Sequence, residues 1–321
     1  MKKILALLLV LVLSVSLVAC GTTDSGDKGT DTPPPGGDTA EPGDVADDTG
    51  DEEFTVGFVI STQTNPFFVS LKDGAQAKAD ELGIELIVLD SQDDSAKAAS
   101  NMEDLITRGV DLILVNPTDS DAIVNSVMLA NDANIPVITV DRSSNGGEVL
   151  SYIASDNIAG GKMAGEFIIE QLGGAGKVVE LEGIAGTNAA RERGEGFNAA
   201  IEGTDIEVVA KQTADFDRVR GLEVMENILQ AQPEIDAVFA HNDEMALGAL
   251  EAIKASGRDI IVVGFDATDD AVAAVGAGDM AATVAQQPVL IGEMGIEAAV
   301  KVLNGESNDE SVPVELKLVT E

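Results

Sequence analysis

From residue 54 onward, apolar runs of strand length alternate with amphipathic segments of helix length, and this alternation leaves few architectures open. A first series of runs lies at residues 56–60, 85–89, 111–115, 137–140 and 150–154. A second lies at 177–181, 207–210, 237–240, 260–263 and 281–285. Helical patterns fill most of the gaps, among them 67–82, 96–108, 121–131 and 161–172. A strand buried on one face alternates polar and apolar residues. Near-continuous apolar runs separated by helices indicate parallel sheets covered on both faces. Two such series predict an α/β chain of two doubly wound lobes, and the body of about 270 residues suits two domains of ordinary size.

The polar residues at the ends of these runs carry the functional signal. Val140 leads into Asp141 and Arg142, Ala240 into His241, Asn242 and Asp243, Phe265 into Asp266, and Ala285 into Gln286. Open parallel sheets bind ligands beyond the carboxyl ends of their strands. Each of these residues alone could equally be a solvated loop or a cap, and Asn242 or Asp243 could cap a helix at 244–253. Repeated polar strand ends favour a site. Between the lobes, Gly183 to Thr187 faintly resembles a phosphate loop but lacks the Gly-Lys-Ser/Thr ending. The better reading is a helix start. Arg191 and Arg193, two residues apart, face different sides of that helix, so at most one reaches a given ligand.

The run at 56–60 ends in a polar loop and then Asn65, Pro66, Phe67 and Phe68. Only 3% of the chain is aromatic and it has no Trp, so two adjacent rings at a strand-to-helix turn are costly to explain as filler. An amide beside flat apolar faces suits a ligand with hydroxyls on its rim and C–H bonds on its faces, as a sugar has.

The ends speak to location. Residues 1–20 read as a signal peptide: Lys2 and Lys3, an apolar core at 4–18, then small residues around Cys20, the chain's one cysteine. The Leu-x-Ala-Cys pattern resembles a lipoprotein signal, with Cys20 lipidated. A sole cysteine can form no disulfide within the chain. Residues 21–53, rich in Gly, Thr, Asp and Pro, read as a disordered acidic tether. As a flexible chain it would span roughly 30 Å. Net charge is −38, so nucleic acid is a poor partner.

These motifs, with the runs NPFFVSLKDGAQ, ANIPVITVDR, AARERGEGF and NDEMALGAL, closely resemble the ribose-binding branch of the type I periplasmic-binding-protein family, from about Val56 to Val319. Members are extracytoplasmic components of ABC-type sugar importers. The resemblance implies two lobes closing on one sugar about a three-segment hinge, with crossings near 155–156, 286–287 and 315–316. The N-terminal lobe would comprise 54–155 and 287–315, the C-terminal lobe 156–286 and 316–321. Carried over, the ligand contacts are Asn65, Phe67, Phe68, Asp141, Arg142, Arg193, Phe216, Asn242, Asp266 and Gln286. D-Ribose is the implied ligand; allose, another pentose or a furanose signalling molecule are the alternatives. No cofactor, metal or catalytic residue is implied. The partners are a permease and, through Cys20, the outer face of the cell membrane, with a periplasmic location as the alternative, and the protein is expected to be a monomer.

The side chains themselves fit such a role. Asp141 and Asp266 accept hydrogen bonds, Arg142 and Arg193 donate them, and Asn65, Asn242 and Gln286 offer both functions. Two acids and two arginines cancel, which favours a neutral sugar over its phosphate. Phe67, Phe68 and Phe216 would sandwich the ring. Against an enzyme stand the absence of a Ser-His-Asp set and of metal-ligand spacing, and a single histidine, His241, that reads as structural. Asp141 and Asp266 could form a glycosidase pair, but the arginines are expected to keep both ionised. A sugar-responsive repressor would carry a DNA-binding headpiece where this chain has a signal and a tether.

Overall fold

The computed structural model describes residues 54–321. The expected signal peptide, the expected lipidation site at Cys20 and the expected tether lie outside the described residues. The elements run in the order β1 (Thr55–Ile60), α1 (Pro66–Leu82), β2 (Glu85–Asp90), α2 (Ser95–Arg108), β3 (Leu112–Val115), α3 (Val124–Asp132), β4 (Val137–Val140) and β5 (Tyr152–Ser155). Then come α4 (Asn157–Leu172), β6 (Ala175–Glu182), α5 (Asn188–Ile201), β7 (Asp205–Thr213), α6 (Arg218–Ala231), β8 (Ala237–Ala240), α7 (Asp243–Ser256) and β9 (Ile261–Asp266). The chain closes with α8 (Asp269–Gly276), β10 (Ala282–Ala285), α9 (Pro288–Leu303), β11 (Ser311–Val314) and β12 (Lys317–Thr320).

Two six-stranded sheets result, ordered β11-β5-β4-β3-β1-β2 and β12-β10-β9-β8-β6-β7. The first is parallel throughout. In the second only β12, at the edge beside β10, runs antiparallel. The chain passes between sheets three times: from β5 to α4, from β10 to α9, and from β11 to β12. In each sheet the strand order reverses once, between β1 and β3 in the first and between β6 and β8 in the second. Such reversals open a crevice at the carboxyl ends of the strands. The two crevices face each other across the cleft.

Helices cover both faces of each sheet, which is why the strands are apolar on both sides. In the first lobe, Phe58, Ile60, Leu71 and Ile296 pack on one face, and Val59, Met102, Leu105 and Ile113 on the other. In the second, Val179, Met245 and Val262 pack on one face and Phe197, Phe239 and Phe265 on the other. Helix starts are set by polar residues just after strands. Asn65, Asp94, Asp156, Thr187, Asp217 and Asn242 each accept a backbone N–H with their side chains. The segment expected to be helical from 121 begins at Val124, because Asp119 accepts from the backbone of Asp121 and Ala122 and holds a turn there. Gly161 and Gly196 let α4 and α5 touch backbone to backbone. A Cβ on Gly161 would strike the carbonyl of Arg193, so this contact fixes where Arg193 stands.

Candidate functional site

Asn65 sets the first wall. Its Oδ1 accepts from the backbone N of Phe67 at 2.9 Å, and Pro66 supplies the preset φ that a first helical turn needs. The turn buries both following rings, which meet edge to face with centroids 5.2 Å apart. At the end of β4, Asp141 adopts a left-handed φ of 62°, which turns Asp141 and Arg142 into the cleft. In the second lobe, Arg193 projects from α5, and Phe216 sits at φ 60° in the turn before α6. Asn242 caps α7, and Asp266 (φ 122°) ends β9.

These residues meet. A cavity between the lobes is lined by all ten sequence-derived candidates, together with Ala189. The lining side chains are almost fully buried: Asp141 is 3% exposed, Arg142 2% and Arg193 3%. Arg191, by contrast, lies on the outside and donates to the Ala185 carbonyl.

The charges are arranged as one pair per lobe. Arg142 Nε stands 3.7 Å from Asp141 Oδ2, and Arg193 Nη1 stands 3.7 Å from Asp266 Oδ1. Neither distance is a tight hydrogen bond, because each group is anchored elsewhere. Asp141 accepts from Asn116 Nδ2 at 3.1 Å, and Arg142 Nη1 donates to the Pro117 carbonyl at 3.2 Å. Arg193 donates from Nε to Asn157 Oδ1 at 2.9 Å and from Nη1 to the His241 carbonyl at 2.6 Å. Asp266 accepts from Gln286 Nε2 at 2.8 Å. Among the described residues, Arg142 Nε and Gln286 Oε1 are buried with no protein hydrogen-bond partner.

Three expectations change. First, burial outweighs the arginines: it pushes the Asp141 and Asp266 carboxyl groups above the usual range while Arg142 and Arg193 pull them back. The arginines are in turn lowered by burial. Arginine neighbours alone therefore do not decide these ionisations. Second, the amides of Asn65 and Asn242 are already partly committed. Each uses one lone pair of its carbonyl oxygen on a helix cap, and Asn242 Nδ2 also donates to the Phe216 carbonyl at 3.2 Å. Each keeps an N–H, and the second lone pair of its oxygen, for the cavity. Third, the aromatic faces are shared. The Arg142 guanidinium lies over Phe68 at 4.9 Å and over Phe216 at 5.3 Å, so it braces the two rings across the cleft.

Sequence reasoning missed the residues behind the wall. Asn116 and Asn157 hold Asp141 and Arg193, yet each reads in sequence as an ordinary loop or cap asparagine. Gly183, noted only as part of a glycine-containing loop, is where the Phe216 ring lies flat; any Cβ there would overlap three of its ring atoms. His241 is wholly buried against Glu180, with its Nε2 3.1 Å from Glu180 Oε1, so it serves the scaffold while its backbone carbonyl holds Arg193. Among the described residues there is no cluster of three or more His, Cys, Asp or Glu able to hold a metal ion, and no helix long and apolar enough to cross a membrane.

Comparison with known proteins places this architecture. The family model described as a periplasmic binding protein domain matches residues 56–307. The ribose import binding protein of Haemophilus influenzae is 58% identical over 267 residues, covering 83% of this chain and 91% of that protein. The ribose import binding protein of Bacillus subtilis is 53% identical over 270 residues, covering 84% and 88%. Among solved structures, an ABC transporter solute binding protein from Bacillus halodurans with bound myo-inositol superposes with a TM-score of 0.80 at 37% identity, covering 85% of this chain and 96% of that one. With two facing α/β lobes, a buried polar cavity between them and relatives that are binding components of importers and not enzymes, this chain belongs to the type I periplasmic binding protein family.

Proposed function

We propose that this protein captures D-ribose in the interlobe cavity and delivers it to an ABC importer. The observation that carries the reading is the cavity itself. Both lobes build it, two acid–arginine pairs make it neutral, and buried groups around it can read a ring of hydroxyls. Each hydroxyl donates one hydrogen bond and accepts two, so it can bridge a carboxylate and a guanidinium. Charge-assisted bonds of this kind are roughly twice as strong as neutral ones. Micromolar binding needs about 8 kcal/mol, which several such bonds plus burial of the ring can supply. A phosphorylated sugar would add charge to a site whose own charges cancel. The high identity to ribose import binding proteins favours ribose over allose, another pentose or a furanose signalling molecule.

Each of the ten candidate residues is given a part. Asn65 and Asn242 donate from their amides, Asp141 and Asp266 accept, Arg142 and Arg193 donate to hydroxyl oxygens, and Gln286 accepts from a hydroxyl with its unpartnered Oε1. Phe67, Phe68 and Phe216 cover the ring and exclude water. The moving bodies are residues 54–155 with 287–315, and 156–286 with 316–321, turning about the three crossings. A sugar held by both bodies selects the closed arrangement, which a permease can then recognise. We further infer that the protein is monomeric and held by a lipidated Cys20 on the outer face of the membrane, with residues 21–53 as the tether. Metabolic labelling with a fatty acid, lost on Cys20→Ala, tests the anchor. For the site, Asp141→Ala and Arg193→Ala should each abolish the calorimetric ribose signal; an unchanged titration in both variants would sink the assignment.

A further inference from the structure

Outside the cavity wall, a second set of polar groups joins the lobes. Ser120 N donates to the Gly186 carbonyl at 2.9 Å, and Asn188 N donates to Ser120 Oγ at 3.2 Å. Ser143 N donates to Asn188 Oδ1 at 2.9 Å. Asn188 Nδ2 donates to the Tyr152 hydroxyl at 2.8 Å, and that hydroxyl donates to the Asp141 carbonyl at 3.3 Å. Ser120, Ser143 and Tyr152 belong to the first lobe, following or lying on β3, β4 and β5. Gly186 and Asn188 belong to the second, at the start of α5. None of the five lines the cavity.

We propose that Asn188 and Tyr152 are positioning residues for sugar binding: they form a latch that closes with the lobes and holds Asp141 in its site conformation without touching the sugar. This rests on the hinge-closing reading given above. The Asn188 side chain spans the lobe boundary twice, once to the backbone of Ser143 and once to the Tyr152 hydroxyl. Asn188 is itself held by Glu192, whose Oε1 accepts from Nδ2 at 3.1 Å. The chain to Asp141 is continuous, since Tyr152 bonds the carbonyl of the residue whose left-handed backbone aims its carboxylate into the cavity. Separation of the lobes breaks the latch, so its bonds count toward the closed state and not the open one. Burial in the closed state also raises the Tyr152 hydroxyl above its usual range. Apparent affinity scales with the fraction of molecules able to close, so a weaker latch loosens every sugar alike.

Tyr152 is the chain's single tyrosine and there is no tryptophan, so tyrosine fluorescence reads the latch and nothing else. The experiment compares wild type, Asn188→Ala, Tyr152→Phe and the double variant by calorimetric titration with D-ribose, and follows tyrosine emission where the tyrosine remains. Loss of two cross-lobe bonds in Asn188→Ala should weaken ribose about 10- to 100-fold and speed its release. Tyr152→Phe should weaken it less, and the double variant should be little worse than Asn188→Ala, because the two share a bond. The melting temperature of each sugar-free variant and the ratio of ribose to allose affinity should stay near wild type. Ribose should change tyrosine emission in wild type and change it less in Asn188→Ala. Wild-type affinity in both single variants overturns the latch, as does a shift in the ribose-to-allose ratio, which would place these residues on the sugar. If Asn188→Ala does not fold, Tyr152→Phe decides alone. A wild-type protein that takes no ribose would instead refute the functional reading itself.

Discussion

Gly183→Ala adds one methyl group to a residue that touches no ligand, and it should damage binding. In the structure the Phe216 ring lies against the Gly183 backbone so closely that a Cβ would overlap three ring atoms. The backbone of Gly183 is fixed as well, because its N–H faces His241 Nδ1 and its carbonyl accepts from Thr213 Oγ1 at 2.9 Å. The ring must therefore move, either into the cavity or away from it. Overpacking of this kind costs about 1–3 kcal/mol of stability. That corresponds to a fall of roughly 2–4 °C in melting temperature per kcal/mol for a chain of this size. Phe216 also braces Arg142 at 5.3 Å and Arg193 at 5.9 Å, and each contact of this type is worth about 0.5–2 kcal/mol where it is desolvated. Displacing the ring loosens both arginines, and ribose affinity should fall about 10- to 100-fold. Calorimetry and thermal melting of the same preparation read both effects. A Gly183→Ala protein that binds ribose like wild type would refute the placement of Phe216 as the fixed wall of the site.

Two further substitutions separate roles that the structure has fused. Asn65→Asp keeps a side-chain oxygen to cap α1 but removes the amide donor and adds charge, so stability should hold within about 0.5 kcal/mol while ribose affinity falls at least about tenfold; equal binding would mean that Asn65 only caps the helix. Asp243 is buried, accepts from Thr283 Oγ1 and from the backbone N of Thr268, and is pushed up to about 7 from the usual 3.8 by desolvation. Its folded form holds a proton that the unfolded chain releases, so this group removes stability as pH rises from about 4 to about 7, by up to roughly 4 kcal/mol. Asp243→Asn cannot ionise; its melting temperature relative to wild type should be clearly higher at pH 8 than at pH 5, and a difference independent of pH would contradict the burial argument.

Most of the sheet strands were legible in the sequence for one reason: in a parallel sheet covered on both faces the central strands are apolar runs, and those of β4, β8, β9 and β10 lead straight into residues that line the cavity. All ten candidate side chains could be read that way or by resemblance. Less visible were elements without such a run. β11 contains Pro313, which an edge strand tolerates because one side of its backbone pairs with nothing, and β12 mixes Lys317 and Thr320 with two apolar residues. Neither looks like a buried strand. Double duty was hidden too. Asn65 and Asn242 each cap a helix and face the cavity, and a sequence does not say which atom of an amide is already spent. The latch was invisible because Asn188, Tyr152 and Ser120 lie far apart in the chain and carry no shared pattern.

The most direct test of the account is a calorimetric titration of the protein, from residue 54 onward, with D-ribose and with ribose 5-phosphate. The neutral cavity closed between two lobes predicts a single saturable ribose site of micromolar affinity or tighter, and no measurable heat from the phosphate. Binding of the phosphate as tightly as the free sugar, or no binding of ribose at all, would contradict it.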